Sequence, residues 1–386
     1  MLSSVLTAAA VAVAGVSAAR PWLNEPDTGL EAVVSNITVG QLPPLGEIVG
    51  LPDFDWAARN YLPAKNYTYY RNGAAGEWSY RNNLEVFNRY RLRPRAMVDV
   101  TNIEASLKTT ILGYEFESPF FISPAAKAQY AHPDGELNLM KGAGAGGIPY
   151  IVSGYSSLPL EDIAAVALPE QTFFSQIYFT LNDTQNRALI KQSEAAGAKA
   201  VVWSIDSPGS PDRQRAARYA VGSANTQFVK NTWEVYNQYG NWTTLPIVLK
   251  GIQNVADARA AVDHGVKAII LSNHGGRNLD GSPSSLEVAL EIFNNDPAVF
   301  DEIEVLADGG VRYGTDALRL MALGVKAVGL GRPFMFANVY GEAGINKIIE
   351  LMRNGLMNDA ANLGLRDIHS INSTYVDWTP QPFWGL

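Results

Sequence analysis

The strongest constraint on the fold is a pattern that the chain repeats eight times: a short apolar run of strand length, then a stretch with helical spacing. Repeated β-then-α order predicts a parallel sheet, and eight such units predict a closed (β/α)8 barrel, the TIM barrel of the α/β class. A doubly wound open sheet is the competing architecture, but no GxGxxG sequence follows the first apolar run. The predicted strands cover residues 120–123, 149–152, 173–178, 200–205, 246–250, 268–271, 304–307 and 327–330.

The residues before the barrel fall into two parts. Residues 20–52 are rich in Gly, Pro and polar residues, which predicts an extended arm. In residues 53–87, aromatic and polar residues recur at helical spacing until Asn72-Gly73 interrupts them, so we predict two short helices as an N-terminal extension. The chain has 386 residues, of which 47% are hydrophobic, and can bury one large core. We therefore expect residues 53–386 to form a single domain.

The first 19 residues are predicted to be a secretory signal. They are apolar and rich in small residues, and residues 16–19 suit a signal peptidase, although no basic residue precedes the apolar stretch. The chain has no cysteine, which excludes disulfides and Cys-ligated metals, and we expect no metal site. Five Asn-x-Ser/Thr sequons support a secreted, extracellular glycoprotein: Asn36, Asn66, Asn182, Asn241 and Asn372.

The charge of the chain argues against two classes of partner. The formal net charge is −8 at neutral pH, the pI is about 5.2, and there is no run of Lys or Arg. Nucleic acid and anionic membranes are therefore not expected partners. The apolar stretch at the N-terminus is also too short and too rich in alanine to be a good membrane span.

Polar residues follow every predicted strand, at the end where barrel enzymes carry their active sites. Gly309-Gly310 after the seventh strand and residues 329–331 after the eighth free backbone N–H groups to approach an anion, and two arginines add charge. These loops predict a phosphorylated ligand, either a sugar-phosphate substrate or a mononucleotide cofactor. The strand-end residues include Pro124, Ala125, Ala126, Ser153, Tyr155, Gln176, Tyr178, Ser204, Asp206, Lys250, His274, Arg277, Asp308, Arg312, Gly331 and Arg332.

The segment 268–281, AIILSNHGGRNLDG, holds the chemistry of the predicted site. Its apolar run stops at Ser272 and opens into polar residues around two adjacent glycines. His274 can act as a base near neutral pH, and the guanidinium of Arg277 suits a carboxylate. A lone His followed by Arg is more often structural, but two glycines between them at a strand end favour an active site.

SNHGGR is similar to the active-site signature of the FMN-dependent α-hydroxy-acid oxidases and dehydrogenases, the family of glycolate oxidase and lactate oxidase. The resemblance runs from about Asp53 to about Gly344 and includes DVTNIEASLKTTILG, AHPDGE, LPIVLKG and ADGGVRYGTDALRLMALG. It implies FMN as the cofactor, a small 2-hydroxy acid as the substrate, and a homotetramer as the assembly.

The resemblance also implies which residues act on the substrate. Arg277 and Tyr69 would bind its carboxylate, and Tyr178 would bind its oxygen. His274 would take a proton, and Asp206 would orient the imidazolium that results and stabilise it. The residues leave open whether the proton leaves the hydroxyl group, with hydride transfer, or leaves the α-carbon.

A second set of residues would surround FMN. Lys250 would lie beside the pyrimidine edge of the flavin, where a cation stabilises the reduced ring, and Gln176 and Ser204 would hydrogen-bond the same ring. The structural alternative for Lys250 is an ion pair with Asp206 or another carboxylate. The other implied FMN contacts are Pro124, Ala125, Ala126, Ser153, Ser272, Asp308, Gly309, Gly310, Arg312, Gly331 and Arg332.

Two further residues bear on specificity. Tyr155 follows the second strand and narrows the space for the substrate side chain, which favours glycolate or lactate over mandelate. Arg213 matches a second arginine that some relatives bring toward the substrate, and a surface ion pair is the alternative.

Together these features predict a secreted FMN-dependent (S)-2-hydroxy-acid oxidase that reduces O2 to hydrogen peroxide. The alternatives within the family are a monooxygenase that decarboxylates its product and a dehydrogenase with another electron acceptor. A catalytically silent flavin-binding protein is the alternative outside enzymes.

Overall fold

The barrel predicted from the sequence is present. A computed structural model describes residues 28–222 and 228–381, and eight parallel strands in it close into one barrel, in chain order around the ring. We number them β1–β8: Phe120–Ile122, Tyr150–Val152, Phe173–Ile177, Val201–Ser204, Ile247–Ile252, Ala268–Leu271, Glu304–Asp308 and Ala327–Leu330. Each strand overlaps a predicted run, which confirms the (β/α)8 architecture.

Both faces of these strands are buried, which explains why the sequence shows unbroken apolar runs. Alternate residues of a strand point to opposite faces. Phe121, Ile151 and Phe174 belong to the cluster that fills the barrel, whereas Ile122 and Val152 belong to the cluster beneath the surrounding helices. A strand with two apolar faces has no polar side to place toward water.

Helices follow every strand and cover the outside of the barrel. Some of their starts are specified locally: Ser284 accepts a hydrogen bond from the backbone N–H of Glu287, whose carboxylate accepts one from the N–H of Ser284. The helices after β1 to β8 are Glu136–Gly146, Leu160–Ala164, Asp183–Ala195, Gln214–Ala217, Trp233–Gly240, Val255–Asp263, Ser285–Asn295, Val299–Glu302, Gly314–Met321, Arg332–Ala337 and Gly341–Leu363.

The extension before the barrel contains three helices where we predicted two: Leu51–Tyr61, Ala64–Arg71 and Trp78–Glu85. The additional break has a local cause, because the residue before a proline is disfavoured in the helical region. Leu62 precedes Pro63 and is extended, so the first helix ends at Tyr61. A shorter helix, Leu30–Val33, lies further upstream. The predicted signal, residues 1–19, lies outside the described residues.

The N-terminal end of the barrel is closed by a hairpin that precedes β1. Its strands are Thr109–Ile111 and Tyr114–Phe116, and Ile111 and Phe116 join the interior cluster. A second short pair joins Arg91–Leu92 to Val376–Asp377. Among the residues described, no helix combines the length and apolar character that crossing a bilayer requires.

Strand β5 contains an irregularity that positions residues for the site. Its register against β6 shifts between Lys250 and Ile252, and Gly251 between them has φ +115°. A Cβ at Gly251 would lie 2.6 Å from the Cβ of Asp206, so only glycine permits this close approach. The end of β5 therefore lies directly against Asp206, two residues after the end of β4.

Candidate active site

Two adjoining cavities lie at the C-terminal ends of the strands. They share Pro124, Ala125, Ala126, His274 and Arg277, and most of the predicted site residues line one or the other. The inner cavity also contains Lys250, Asp308, Gly309, Gly310, Arg312, Gly331 and Arg332. The outer cavity, toward the mouth, also contains Tyr69, Ser153, Tyr155, Tyr178 and Arg213. Four predicted residues, Gln176, Ser204, Asp206 and Ser272, lie behind these walls.

His274 is paired with a buried carboxylate. Its Nδ1 lies 2.8 Å from Oδ1 of Asp206, whose side chain is fully buried. Because a carboxylate accepts from Nδ1, the neutral ring carries its proton there and Nε2 keeps a lone pair. Nε2 lies 3.3 Å from the hydroxyl of Tyr178. The side chain is thus held as a base, and its unprotonated nitrogen lies beside the hydroxyl of Tyr178.

The ionisation of this pair follows from burial and neighbouring charge. Burial lowers the pKa of His274 below its ordinary value, although Asp206 acts in the opposite direction. For Asp206, burial alone would raise the pKa, but His274 and Lys250 outweigh it and the pKa is lowered. At neutral pH the arrangement is a neutral imidazole against a carboxylate, which is the state a general base requires.

The backbone at His274 is left-handed over three consecutive residues, with φ values of 59°, 64° and 71° at His274, Gly275 and Gly276. This conformation is unfavourable for a residue with a side chain, and it occurs here at the candidate base, which lies in the cavity wall. A Cβ at Gly276 would lie 2.4 Å from the backbone nitrogen of Tyr80. The helix Trp78–Glu85, packed above the turn, therefore requires glycine at position 276, whereas a Cβ at Gly275 would lie 2.6 Å from Nη1 of Arg332.

Two arginines and a tyrosine form a cationic wall in the outer cavity. Nη2 of Arg277 lies 3.4 Å from the carbonyl oxygen of Tyr69, and no described residue accepts a hydrogen bond from its buried Nε. Arg213 donates from Nε to the carbonyl of Arg277 at 2.7 Å and from Nη2 to Oδ1 of Asn278 at 2.8 Å. Burial lowers the pKa of Arg213 to about 9, and Arg277 adds to this effect. Such a wall favours binding of an anion.

Arg213 bonds to a backbone carbonyl and an amide oxygen and forms no ion pair with a described residue, so the structure does not support the surface ion pair that was its alternative. Asn278, which binds it, has a second contact: its Nδ2 donates to the carbonyl of Asp206 at 2.9 Å. No role was predicted for Asn278 from the sequence. Its position four residues after His274, in the same polar segment, was the available signal.

Tyr155 and Tyr178 lie against each other at the mouth. Their rings are stacked with centroids 5.0 Å apart, and Tyr155 is 48% exposed. Burial raises the pKa of Tyr178 well above its ordinary value, so its hydroxyl stays protonated and can donate. Tyr155 therefore contributes one face of the entrance.

Lys250 is buried in the inner cavity and is paired with a carboxylate other than Asp206. Its Nζ lies 3.3 Å from Oδ2 of Asp308 and donates to the hydroxyl of Ser272 at 2.9 Å. The hydroxyl of Ser123 donates to the same Asp308 oxygen at 3.0 Å. Ser272 in turn accepts from the N–H of His274 at 3.0 Å, which ties β5, β6 and β7 together at this point.

A cleft at the opposite end of the barrel is a poorer candidate for chemistry. It is lined by Thr109, Glu117, Val325 and Lys326, which precede β1 and β8. Active sites of such barrels lie at the other end. Its lysines are also paired, Lys108 with Glu117 at 3.1 Å and Lys326 with Glu304 at 2.8 Å.

Comparison with known proteins agrees with this geometry. The model of the FMN-dependent dehydrogenase family matches residues 58–231 and 220–378. The chain belongs to this family. It is 33% identical over 355 residues to 2-Hydroxyacid oxidase 2 of Bos taurus, across 86% of this chain and 99% of that protein. It is 30% identical over 359 residues to L-lactate dehydrogenase (cytochrome) of Wickerhamomyces anomalus, of which it spans 62%.

Solved structures give the same result. The recombinant flavin-binding domain of baker's yeast flavocytochrome b2 superposes with a TM-score of 0.84 at 32% identity, covering 91% of this chain and 90% of that one. A mandelate oxidase structure superposes with a TM-score of 0.77 at 34% identity, covering 83% of this chain and 96% of that one. The predicted family, fold and cofactor are confirmed, and FMN is the cofactor of this FMN-dependent dehydrogenase family member.

Several residues of the site fit a flavin. Gln176 is a buried residue of β3, and its Oε1 accepts from the N–H of Gly154 at 3.1 Å. Its buried Nε2 has no acceptor within the described residues, and buried donors in proteins are normally hydrogen-bonded. The carbonyl and ring-nitrogen acceptors of an isoalloxazine have the required chemistry. The buried cation of Lys250 suits the electron-rich edge of the same ring.

The residues predicted to bind the phosphate of FMN do not all serve that purpose alone. Gly309, Gly310 and Arg312 line the inner cavity as predicted. Arg332 also lines it, but its guanidinium donates to the carbonyls of Tyr70, Asn72 and Gly275. Arg332 was predicted to contact FMN only, and these bonds were not predicted, because they join residues about 60 and 260 positions away.

Proposed function

We propose that this protein oxidises a small (S)-2-hydroxy acid to the 2-oxo acid, and that O2 accepts the electrons and is reduced to hydrogen peroxide. The observation that carries the proposal is the convergence of a base and an anion-binding wall on one cavity. His274 lines it with an unprotonated Nε2, 3.3 Å from the hydroxyl of Tyr178, and Arg277 has a buried Nε with no acceptor among the described residues. A 2-hydroxy acid offers both a proton and a carboxylate to such a site.

The residues in and behind the two cavities have separate roles in this reaction. Arg277, with the hydroxyl of Tyr69, binds the substrate carboxylate and fixes the orientation of the α-carbon. Nε2 of His274 accepts the proton that leaves the substrate, and Asp206 stabilises the imidazolium. Tyr178 donates its hydroxyl to the substrate oxygen. FMN, when bound, supplies the two-electron acceptor, and Lys250 and Gln176 would hold its ring.

Support for oxygen as the acceptor comes from the relatives. The relatives include 2-Hydroxyacid oxidase 2 of Bos taurus at 33% identity and glycolate oxidase of Spinacia oleracea at 32%. They also include L-lactate dehydrogenase (cytochrome), at 30% identity. The proteins named as oxidases support O2 as the acceptor, and hydrogen peroxide production distinguishes it from a cytochrome.

A panel of 2-hydroxy acids tests the proposal. The FMN-loaded protein is mixed anaerobically with glycolate, L-lactate, D-lactate and mandelate, and bleaching of the flavin is followed. Reoxidation by air is then measured as hydrogen peroxide and CO2. We expect bleaching by the S enantiomers and one peroxide per turnover. CO2 without peroxide would show a monooxygenase, slow reoxidation by air would show a dehydrogenase, and a flavin that never bleaches would show a silent protein.

Substitution of Lys250 by methionine should weaken both FMN binding and flavin reduction. It removes a buried cation and leaves the carboxylate of Asp308 without its partner at 3.3 Å. We expect FMN affinity to fall by about tenfold or more, together with slower anaerobic reduction. Lys326→Met is the matched control, because Lys326 pairs with Glu304 at the other end of the barrel. Wild-type affinity and reduction in Lys250→Met would remove Lys250 from the site.

Truncation of Tyr155 should broaden the substrate range. Its ring occupies the entrance beside Tyr178, so Tyr155→Ala opens space for a larger side chain. We expect kcat/KM for mandelate relative to lactate to rise by about 10-fold to 100-fold, a graded change. Tyr155→Phe separates volume from hydrogen bonding, since it keeps the ring and removes the hydroxyl. An unaltered substrate ranking in Tyr155→Ala would show that the side chain does not line the pocket.

We also propose that the protein is secreted and glycosylated, and the sequons differ in their suitability. Asn36 is exposed. Asn66 is half-buried, and its amide donates to the carbonyl of Tyr130 at 3.0 Å, beside the active-site loop after β1. After expression in a eukaryotic secretory host, peptide mass spectrometry should find a glycan on Asn36 and none on Asn66, with Asn36→Gln losing one glycan. Absence of glycan at all five sequons would contradict the secretory route.

A further inference from the structure

The helix that carries Tyr69 has an end that needs hydrogen-bond donors. The last carbonyls of a helix have no partner within it, and the negative end of the helix dipole favours cations there. For the helix Ala64–Arg71, Nδ2 of Asn72 donates to the carbonyls of Thr68 and Tyr69 at 2.9 and 2.7 Å. Nε of Arg332 donates to the carbonyl of Tyr70 at 2.8 Å. A residue that follows β8 therefore completes the end of this helix.

The same guanidinium bonds to two more segments. Its Nη2 donates to the carbonyl of Asn72 at 2.8 Å, and its Nη1 donates to the carbonyl of Gly275 at 3.0 Å. Gly275 directly follows His274. The group also lies over the ring of Tyr80, 4.7 Å from its centre. Arg332 thus joins the end of β8 to the segment with Tyr69 and to the turn with His274.

The charge of Arg332 is not matched by the groups around it. No carboxylate of the described residues forms an ion pair with it, and its partners are neutral carbonyls. Burial lowers the pKa of Arg332 to about 9, and the nearby Arg277 and Arg312 act in the same direction. A guanidinium has five N–H donors, of which these bonds use three. Since Arg332 also lines the inner cavity, its charge and remaining donors are available to an anion there.

We propose that Arg332 is a positioning residue that couples the phosphate end of the inner cavity to the substrate clamp. An anion in this cavity stabilises the charged guanidinium, and the guanidinium holds residues 69–72 in place, so that phosphate occupancy fixes Tyr69 beside Arg277. The inference rests on the proposed function, because it takes Tyr69 as a ligand of the substrate carboxylate and the phosphate of FMN as the anion.

Arg312 provides the matched control. It lines the same cavity, but the one side-chain hydrogen bond described for it goes from Nη1 to the carbonyl of its neighbour Val311 at 2.9 Å. Arg312→Gln removes a positive charge from the cavity without removing a bond to residues 69–72. Arg332→Gln removes a charge together with the three tethering bonds. Arg332→Lys keeps the charge, but an ammonium on one flexible stem cannot reproduce the planar fork.

Hydrogen exchange of the full chain measures the coupling. The probes are the backbone amides of Asn72 and Ala74, which bond to the carbonyls of Thr68 and Gly276. We compare the protein without flavin, with FMN, and with riboflavin, which lacks the phosphate, and we follow flavin binding separately by fluorescence. In the wild type, saturating FMN should slow exchange at these amides about tenfold more than saturating riboflavin.

The variants separate tethering from phosphate binding. At saturating FMN, Arg332→Gln should exchange as fast as the riboflavin form and bind oxalate, a small carboxylate probe seen by the flavin spectrum, about tenfold more weakly. Arg332→Lys should have an exchange rate and an oxalate affinity between those of Arg332→Gln and the wild type. Arg312→Gln should need more FMN for saturation and then reach wild-type protection and oxalate affinity.

Two results would overturn the coupling. One is equal protection by riboflavin and FMN in the wild type. The other is wild-type exchange and oxalate affinity in Arg332→Gln at saturating FMN, which would leave Arg332 as a phosphate ligand only. If Arg332→Gln does not fold, Arg332→Lys is measured against the same two criteria. Failure of the wild type to bind FMN would instead contradict the proposed function itself.

Discussion

Replacement of His274 by alanine should give a protein that stays yellow with FMN and has lost turnover by about 100-fold to 10,000-fold, the usual contribution of a general base. His274 lines both cavities, and its Nε2 lies 3.3 Å from the hydroxyl of Tyr178, a residue of the outer cavity. The contact that ties it to the flavin side is made by its backbone N–H, which donates to Ser272 and survives the substitution. The substitution should therefore remove the base and leave FMN binding intact.

FMN content and flavin reduction are measured for His274→Ala and for a control variant that lacks a different histidine. FMN content is read from the absorption spectrum, and flavin reduction is followed anaerobically at saturating substrate. His264→Ala serves as the control, since His264 stacks on Trp233 with ring centres 4.6 Å apart and lines neither active-site cavity. Loss of FMN from His274→Ala would contradict the role of a base, and so would reduction at the wild-type rate.

The fold was predictable because its main signal is local. Each barrel strand is buried on both faces, so its apolar run is visible in four to six consecutive residues without knowledge of its neighbours. The positions of Lys250, His274 and Arg312 at strand ends follow from the barrel rule alone. The additional helix break at Leu62 was also encoded locally, by Pro63, and the helical spacing on both sides concealed it.

The contacts that organise the site were not predictable, because they join distant segments. Asn83 and Asn273 exchange two amide hydrogen bonds, at 2.8 and 2.9 Å, although 190 residues separate them. Lys250 of β5 pairs with Asp308 of β7, two strands away, rather than with Asp206, which follows the adjacent strand β4. Periodicity and motif spacing do not indicate which of several nearby polar groups will form a hydrogen bond or an ion pair. The bonds of Arg332 to Tyr70, Asn72 and Gly275 were unpredictable for the same reason.

The second large effect is expected for Asp206→Asn, which keeps the size of the side chain and removes its charge. The carboxylate accepts from Nδ1 of His274 at 2.8 Å, and its negative charge stabilises the imidazolium that forms when His274 takes a proton. Loss of a buried orienting carboxylate of this kind lowers turnover by up to about 10,000-fold. We expect a large fall in kcat with FMN retained, because Asp206 lines neither cavity.

The pH profile distinguishes this role from a merely structural one. A base works when neutral, so kcat/KM should rise with pH through the pKa of His274, which burial lowers below its ordinary value. Asp206 is the main influence that raises this pKa, whereas burial, Lys250 and Arg213 lower it. Asp206→Asn should therefore move the acidic limb to still lower pH while the plateau falls. Asp296→Asn, which breaks a surface pair with Arg259, should leave both unchanged. An acidic limb that stays in place or moves upward in Asp206→Asn would assign it to a group other than His274.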